Sequence, residues 1–340
     1  MKLHYHLSMG YYSSSLPRPG HMDVEGEQVY QRPWPYLHVG SVAASVCLSL
    51  LLLIGHATPQ TMAPRLKVAT TIFPLYDLVR NVVGPAVEVV LLLPPGASPH
   101  TFEAKPGTVR TLMGSAVLFA IGHGLDDWAV QLAQGAGVTR ILVVDEQITL
   151  RTALHAAHDH GTSHARQQTS GTVDPHYWLA IPNAVRMVET ITRALADLDP
   201  ATASDYRQRA GAYQEQLRLV DTEVRALLVS LPRRHIVTFH QAFDYFADAY
   251  GLQVVAAFEL SPGQEPPPRH VEGFLRQVRT HKLRVLFVEP QLPQGALTSL
   301  ARDLQVRLEE LDPNGGSPGR DSYIALMRFN ASQIAAALRE

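Results

Sequence analysis

Five histidines stand within LHAAHDHGTSHARQQTSGTVDPHYWL, residues 154–179: His155, His158, His160, His164 and His176. Imidazole changes charge near neutral pH and is the commonest nitrogen ligand of transition metals, so such a cluster points to metal or proton chemistry. The chain carries 16 histidines in 340 residues and a single cysteine, Cys47. Without thiolates, a metal has to be held by imidazoles and carboxylates. The five histidines are of two kinds. The first four lie among Gly, Thr, Ser and Gln with no apolar period, the pattern of a solvated loop, and their spacing matches no helix-mounted zinc motif. They are expected to form a loose, secondary, low-affinity metal site, or else to be a compositional accident of that loop. His176 follows Pro175 and precedes Tyr177-Trp178, so it is the fixed, inner histidine.

A fixed ligand needs elements to hold it. From Leu66 onward, short apolar runs rich in β-branched residues alternate with helix-like stretches: 66–72, 87–93, 117–121 and 141–145, then 235–239, 253–258, 284–289 and 306–311. Continuous apolar strands separated by helices imply parallel sheets covered on both faces, here two α/β lobes. Between them, Tyr206, Ala210, Tyr213, Leu217, Val220, Val224 and Leu227 follow steps of four and three, one stripe of a single helix. Asp199-Pro200 is its start signal and Pro232 its stop. The expected fold is therefore α/β: two parallel-sheet lobes joined by one long rigid helix. The expected divisions are an N-terminal extension and signal peptide at 1–57, an N-terminal lobe at 58–200, a connecting helix at 201–231 and a C-terminal lobe at 232–340.

In open α/β sheets, ligands gather beyond the carboxyl ends of strands. His100 lies in the turn-rich loop PPGASPHTFEAKP after the 87–93 strand, His240 directly follows Phe239, and Asp312 directly follows Leu311. With His176 they come two from each side of the long helix, so closing the cleft between lobes would converge three imidazoles and one carboxylate. That set suits zinc, which takes nitrogen and oxygen ligands in a four-coordinate shell, whereas harder, octahedral manganese favours more carboxylate. Each residue also has a plainer reading. Asp312, before a proline, could start a turn. Glu289 is expected to accept hydrogen bonds across the cleft, and His123, between two glycines, to sit in a turn. Trp178, Phe239, Phe243 and Tyr245 are expected to pack the core and the cleft wall.

Composition narrows the function classes. Lys+Arg number 29 against Asp+Glu 31, so no basic excess argues for nucleic acid or an anionic membrane. The apolar run Val42–Ile54 is shorter than the roughly 20 residues a spanning helix needs. It is followed by Gly55-His56-Ala57, the small-residue pattern of a secretory signal cleaved after Ala57. Cys47 is preceded by Val46 rather than by a lipidation pattern, so no lipid anchor is expected there.

Taken in order, SPHTFEAKP, a histidine-bearing loop, DPHYWL, the long helix, VTFHQAFDYFADAYGL, VEPQ and LDPNGG resemble the periplasmic binding proteins of zinc and manganese ABC importers, over residues 66–340. The resemblance implies metal in the interlobe cleft, with His100, His176 and His240 as histidine ligands and Asp312 as the carboxylate ligand. A histidine at position 240, where manganese members tend to have a carboxylate, is more similar to the zinc branch. Residues 155–164 stand where zinc-type members carry a histidine-rich loop. Some zinc members have Glu immediately before the first ligand histidine. Pro99 stands there in this chain, leaving the fourth position to Asp312 or water. The function implied is an extracytoplasmic, monomeric zinc-capturing protein that delivers its ion to the membrane subunits of an ABC permease. The alternatives are a zinc-dependent hydrolase with Glu289 as base, and a manganese-binding or adhesin relative of the same fold.

Overall fold

The computed structural model describes residues 65–152, 173–259, 263, 265–291 and 295–339. The proposed leader at 42–57 and His155, His158, His160 and His164 lie outside the described residues. The first sheet contains β1 (Lys67–Thr70), β2 (Glu88–Leu91), β3 (Leu118–Ala120) and β4 (Ile141–Val143) in the order β2-β1-β3-β4. The second contains β5 (His235–His240), β6 (Gln253–Glu259), β7 (Val285–Val288) and β8 (Arg307–Glu310) in the order β6-β5-β7-β8. Every pairing is parallel, with Val68 opposite Val89 and Phe119 opposite Leu142 in one sheet, and Thr238 opposite Phe287 in the other. All eight apolar runs are strands, each shifted by no more than a residue or two at its ends.

Helices cover both faces of each sheet, and the alternation of side chains shows why the strands are apolar throughout. In β1, Val68 faces a core shared with α1 (Phe73–Val83) and α4 (Ile181–Leu198). Ala69 faces a separate core formed with α2 (Pro106–Leu112) and α3 (Asp127–Gly135). The second sheet repeats this. Ile236, Val285 and Phe287 join the same central core as Val68. Val237, Leu286 and Val288 face an outer cluster with α7 (Pro268–Thr280) and α8 (Gly295–Leu304). One apolar core therefore runs through both lobes. Prolines in the first turns of α1, α2, α4 and α7 suit positions where the backbone N–H has no intrahelical partner. No helix among the described residues is long and apolar enough to cross a membrane.

The long helix is α5 (Ala203–Val229), 27 residues, or about 40 Å at 1.5 Å per residue. A short 3-10 turn at Pro200–Thr202 precedes it, and Asp199 accepts a hydrogen bond from the Tyr206 hydroxyl at 2.9 Å. Its buried stripe is Tyr206, Ala210, Tyr213, Leu217, Val220, Val224 and Leu228. Leu227, expected to end the stripe, is only partly buried beside the same core. The last step is four residues, as a 3.6-residue period allows. The helix packs on α4 and α1 from the first lobe, and on α6 (Asp244–Tyr250) and α9 (Tyr323–Arg339) from the second.

Asp77 of α1 ties this assembly together. It is fully buried and accepts hydrogen bonds from the Tyr323 backbone N–H at 2.8 Å, from the Tyr213 hydroxyl at 3.3 Å and from Arg80. Burial pushes its pKa up, and the Tyr323 N–H and Arg80 partly offset that. Three helices from both ends of the chain thus meet on one carboxylate. Asp77→Ala leaves a buried N–H and hydroxyl unpaired, so urea unfolding should show a loss on the order of 2–3 kcal/mol. Tyr213→Phe, which removes one long hydrogen bond, should cost about 1 kcal/mol or less. A wild-type midpoint for Asp77→Ala would remove this carboxylate from the account of how the lobes are joined.

Candidate metal centre

Three of the candidate ligands come from three unrelated places. His100 projects from the Pro-rich loop after β2. His176 opens the short 3-10 turn Tyr177–Leu179 that leads into α4, and His240 is the last residue of β5. The structure brings them together. One ring nitrogen from each lies within 4.8 Å of the others, and His100 Nε2 is 3.1 Å from His176 Nε2. Two nitrogens bound tetrahedrally to one zinc at 2.0–2.1 Å stand about 3.3 Å apart, so this pair is already near the bound spacing. The ring centroids form a near-equilateral triangle, 5.3, 4.9 and 5.0 Å on its sides.

Two buried carboxylates set the tautomers. Asp174 accepts from His176 Nδ1 at 2.8 Å and from the His176 backbone N–H at 3.0 Å. Glu289, at the end of β7, accepts from His240 Nδ1 at 3.0 Å. A proton held on Nδ1 leaves the Nε2 lone pair free for a cation, the arrangement in which a carboxylate orients a metal-bound histidine. Burial of the His100 ring, and then the neighbouring His176 and His240, push its pKa down to about 2. One edge of His100 faces solvent, yet its reactive nitrogen lies among the other rings and stays neutral. His176 and His240 are both about 3% exposed.

Direct bonds between the lobes hold this convergence. Trp178 Nε1 donates to the Pro313 carbonyl at 2.8 Å, and the Tyr323 hydroxyl donates to the Trp178 carbonyl at 2.6 Å. The Tyr245 hydroxyl donates to the Asp174 carbonyl at 3.2 Å and accepts from the Arg151 N–H at 2.8 Å. Trp178, Phe239, Phe243 and Tyr245 are buried, as expected. The cavity within the histidine triangle, bounded also by Pro99, Glu289 and Asn314, has about 10 Å³ of free volume, enough for one ion or water. Larger hollows flank α4 and α5, where Glu189, Arg193 and Arg218 line open surface without converging ligands.

Asp312 does not join the three imidazoles. It follows β8, but its Oδ1 accepts from Gln291 Nε2 at 2.7 Å and from the Asn314 and Gly315 backbone N–H groups, each at 2.9 Å. Its Oδ2 stands 3.3 Å from Arg320 Nη1. The short loop after the strand folds back on the carboxylate, the turn-starting behaviour typical of Asp. Gly315 is required there: at φ +71° its N–H reaches Asp312, and a Cβ would stand 3.1 Å from the Arg320 carbonyl. Glu289 is an acceptor, as expected, but for a histidine of its own lobe rather than across the cleft. His123 sits at φ 55° between Gly122 and Gly124 and contacts Asp145 at 2.9 Å, a turn residue outside the cluster. Asp174 escaped the sequence reading. Its one signal is its place two residues before His176, close enough to reach back to that ring.

Residues 68–337 match the family described as zinc-uptake complex component A, periplasmic (ZnuA). The chain is 25% identical over 316 residues to the manganese ABC transporter substrate-binding lipoprotein PsaA of Streptococcus pneumoniae, covering 88% of this chain and 99% of that one. It is also 25% identical over 304 residues to the zinc-binding lipoprotein AdcA of Streptococcus pneumoniae serotype 4, covering 87% of this chain and 60% of AdcA. The chain therefore spans about three fifths of AdcA. The crystal structure of ZnuA superposes with a TM-score of 0.70 at 25% identity, covering 80% of this chain and 99% of that one. A manganese binder and a zinc binder are equally similar, so overall identity does not choose the ion.

Two outcomes follow from the geometry. Glu289→Gln weakens the hold on His240 Nδ1 while keeping an acceptor. Zinc affinity should fall about tenfold in a competition assay, with unchanged apo-protein unfolding. Wild-type affinity would mean that Glu289 does not orient the ligand. The second outcome concerns pH. His100 binds a proton near pH 6.5 when unfolded but only near pH 2 in the folded apo protein. Its contribution to stability is full above about 6.5 and shrinks as pH falls, because the unfolded chain takes up the proton first. His100→Gln should flatten the slope of apo-protein stability between about pH 6.5 and 4, measured by urea unfolding, whereas equal slopes would show a freely titrating ring.

Proposed function

We propose that this chain, which belongs to the ZnuA family of periplasmic zinc-uptake components, captures zinc outside the cytoplasm and hands it to the membrane permease of an ABC importer. One observation supports the choice of ion: three imidazoles converge on a one-ion cavity while Asp312, the expected carboxylate ligand, is bound to other partners. A shell of nitrogen donors with one position left for water suits zinc better than manganese. The chain acts as a binding protein rather than an enzyme, and its ion is cargo.

Capture follows from the tautomers. An ion would take the Nε2 lone pairs of His176 and His240, whose protons stay on Nδ1, and His100 would complete the triangle through Nε2 with its proton on Nδ1. Release starts from His100, the exposed ligand on a loop, while His176 and His240 stay fixed by their carboxylates. The run Val42–Ala57 is proposed as the export signal. His155, His158, His160 and His164 are proposed as a weaker outer site, since a run rich in Gly, Ser and Thr spends conformational entropy in ordering around an ion.

The test is calorimetry with zinc and manganese in competition, coupled to elemental analysis of protein from its native compartment. Wild type should carry zinc and show one tight phase and one weak phase. His240→Ala should lose the tight phase, and deletion of residues 155–164 should lose only the weak one. Stoichiometric manganese with weak zinc binding would sink the zinc assignment. Loss of the tight phase on loop deletion would put all the histidines in one site.

A further inference from the structure

The geometry points to Arg320 as the residue that decides metal preference: by pairing with Asp312 Oδ2, it keeps this carboxylate from becoming an oxygen ligand of the three-histidine site. The inference rests on the metal-capture reading above and adds a determinant of selectivity to it. Asp312 directly precedes Pro313 and Asn314, which line the cavity, so its carboxylate stands one residue behind the wall. Its two oxygens are in different situations. Oδ1 is filled by Gln291 and the two backbone N–H groups. Oδ2 faces the Arg320 guanidinium at 3.3 Å. Arg320 is therefore the group that a cation would have to outcompete for Oδ2.

Arg320 is held in place by more than Asp312. It pairs with Glu310 of β8, and its guanidinium lies over the Phe329 ring at 4.5 Å. Its backbone N–H donates to the Ser317 carbonyl, and its own carbonyl accepts from the Gly316 N–H, both at 2.9 Å. The side chain is 15% exposed. The guanidinium is thus anchored independently and held against the carboxylate. Removing its charge leaves Asp312, 1% exposed, with one uncompensated oxygen behind the wall of a cation site. A buried carboxylate in that position gains most by turning toward a cation. Adding oxygen to three nitrogens favours a hard ion such as manganese more than it favours zinc. Arg320 is thus a positioning residue that acts through Asp312, and its effect is read in the ratio of two metals rather than in fold stability.

The experiment compares full-length wild type, Arg320→Met, Arg320→Lys and the double variant Arg320→Met/Asp312→Asn by competitive titration with zinc and manganese. Arg320→Met should bind manganese about tenfold more tightly or better, with zinc affinity changed by about threefold or less. Arg320→Lys should restore the wild-type ratio, and Asp312→Asn in the Met background should abolish the gain. A folded Arg320→Met protein with the wild-type metal ratio overturns the proposal. A crystal structure of the zinc-loaded wild type gives a test that needs no variant. It should retain the Arg320–Asp312 pair, and a bond from Asp312 to zinc overturns the proposal even if Arg320→Met fails to fold. If wild type binds neither metal, the function proposed above fails and this inference with it. If wild type binds zinc and only the ratio fails to move, the role given to Arg320 alone is wrong.

Discussion

One apolar core passes through both lobes and holds the elements from which the candidate metal centre is built. Val68 and Phe119 from one sheet, Ile236 and Phe287 from the other, and the buried stripe of the long helix belong to the same packed cluster. Close-packed interiors do not deform smoothly, so two sheets sharing a core hold their strand ends at a set separation. His240 leaves one of those ends, and His176 stands where the chain turns into α4. Hydrogen bonds from Trp178 to Pro313 and from Tyr323 to Trp178 add direction to what packing alone would leave approximate.

The centre divides its work between charge and position. Three imidazoles converge at the candidate centre, and two carboxylates, Asp174 and Glu289, stand behind two of them. A divalent ion held by the three rings would thus have two carboxylates at one remove. The same carboxylates dictate which ring nitrogen carries the proton, so charge compensation and ligand orientation come from the same atoms. His100 has no such partner. It is held against the other two rings, and of the three histidines it is the exposed one.

The proposed role of Asp312 offers one way for a shared scaffold to separate relatives with different cargo. PsaA is named for manganese and AdcA for zinc, and both are equally similar to this chain. A carboxylate near the site is not enough to make it a ligand, since its oxygens can be taken by a turn and a neighbouring cation. Here the turn is closed by Asn314 and Gly315, and the cation is Arg320.

The chain's one-dimensional pattern determined what repeats along it: eight apolar runs became eight strands, and the stripe from Tyr206 to Val224 became the buried face of one helix. Periodicity is local, so it survives without knowledge of partners. Position after a strand likewise singled out His100 and His240, and Pro175 with the aromatic pair singled out His176, and the structure brings these three rings together. Tertiary structure decided the rest. Asp312 sits at a strand end as surely as His240 does, yet whether its carboxylate faces the cleft or a turn depends on Gln291, Arg320 and the φ of Gly315, which meet it only in three dimensions. Asp174, Asp77 and Tyr323 gave no periodic signal, because a buried hydrogen bond is a property of two distant groups. Their roles appear only once the core has brought the helices and loops within 3 Å or so of each other.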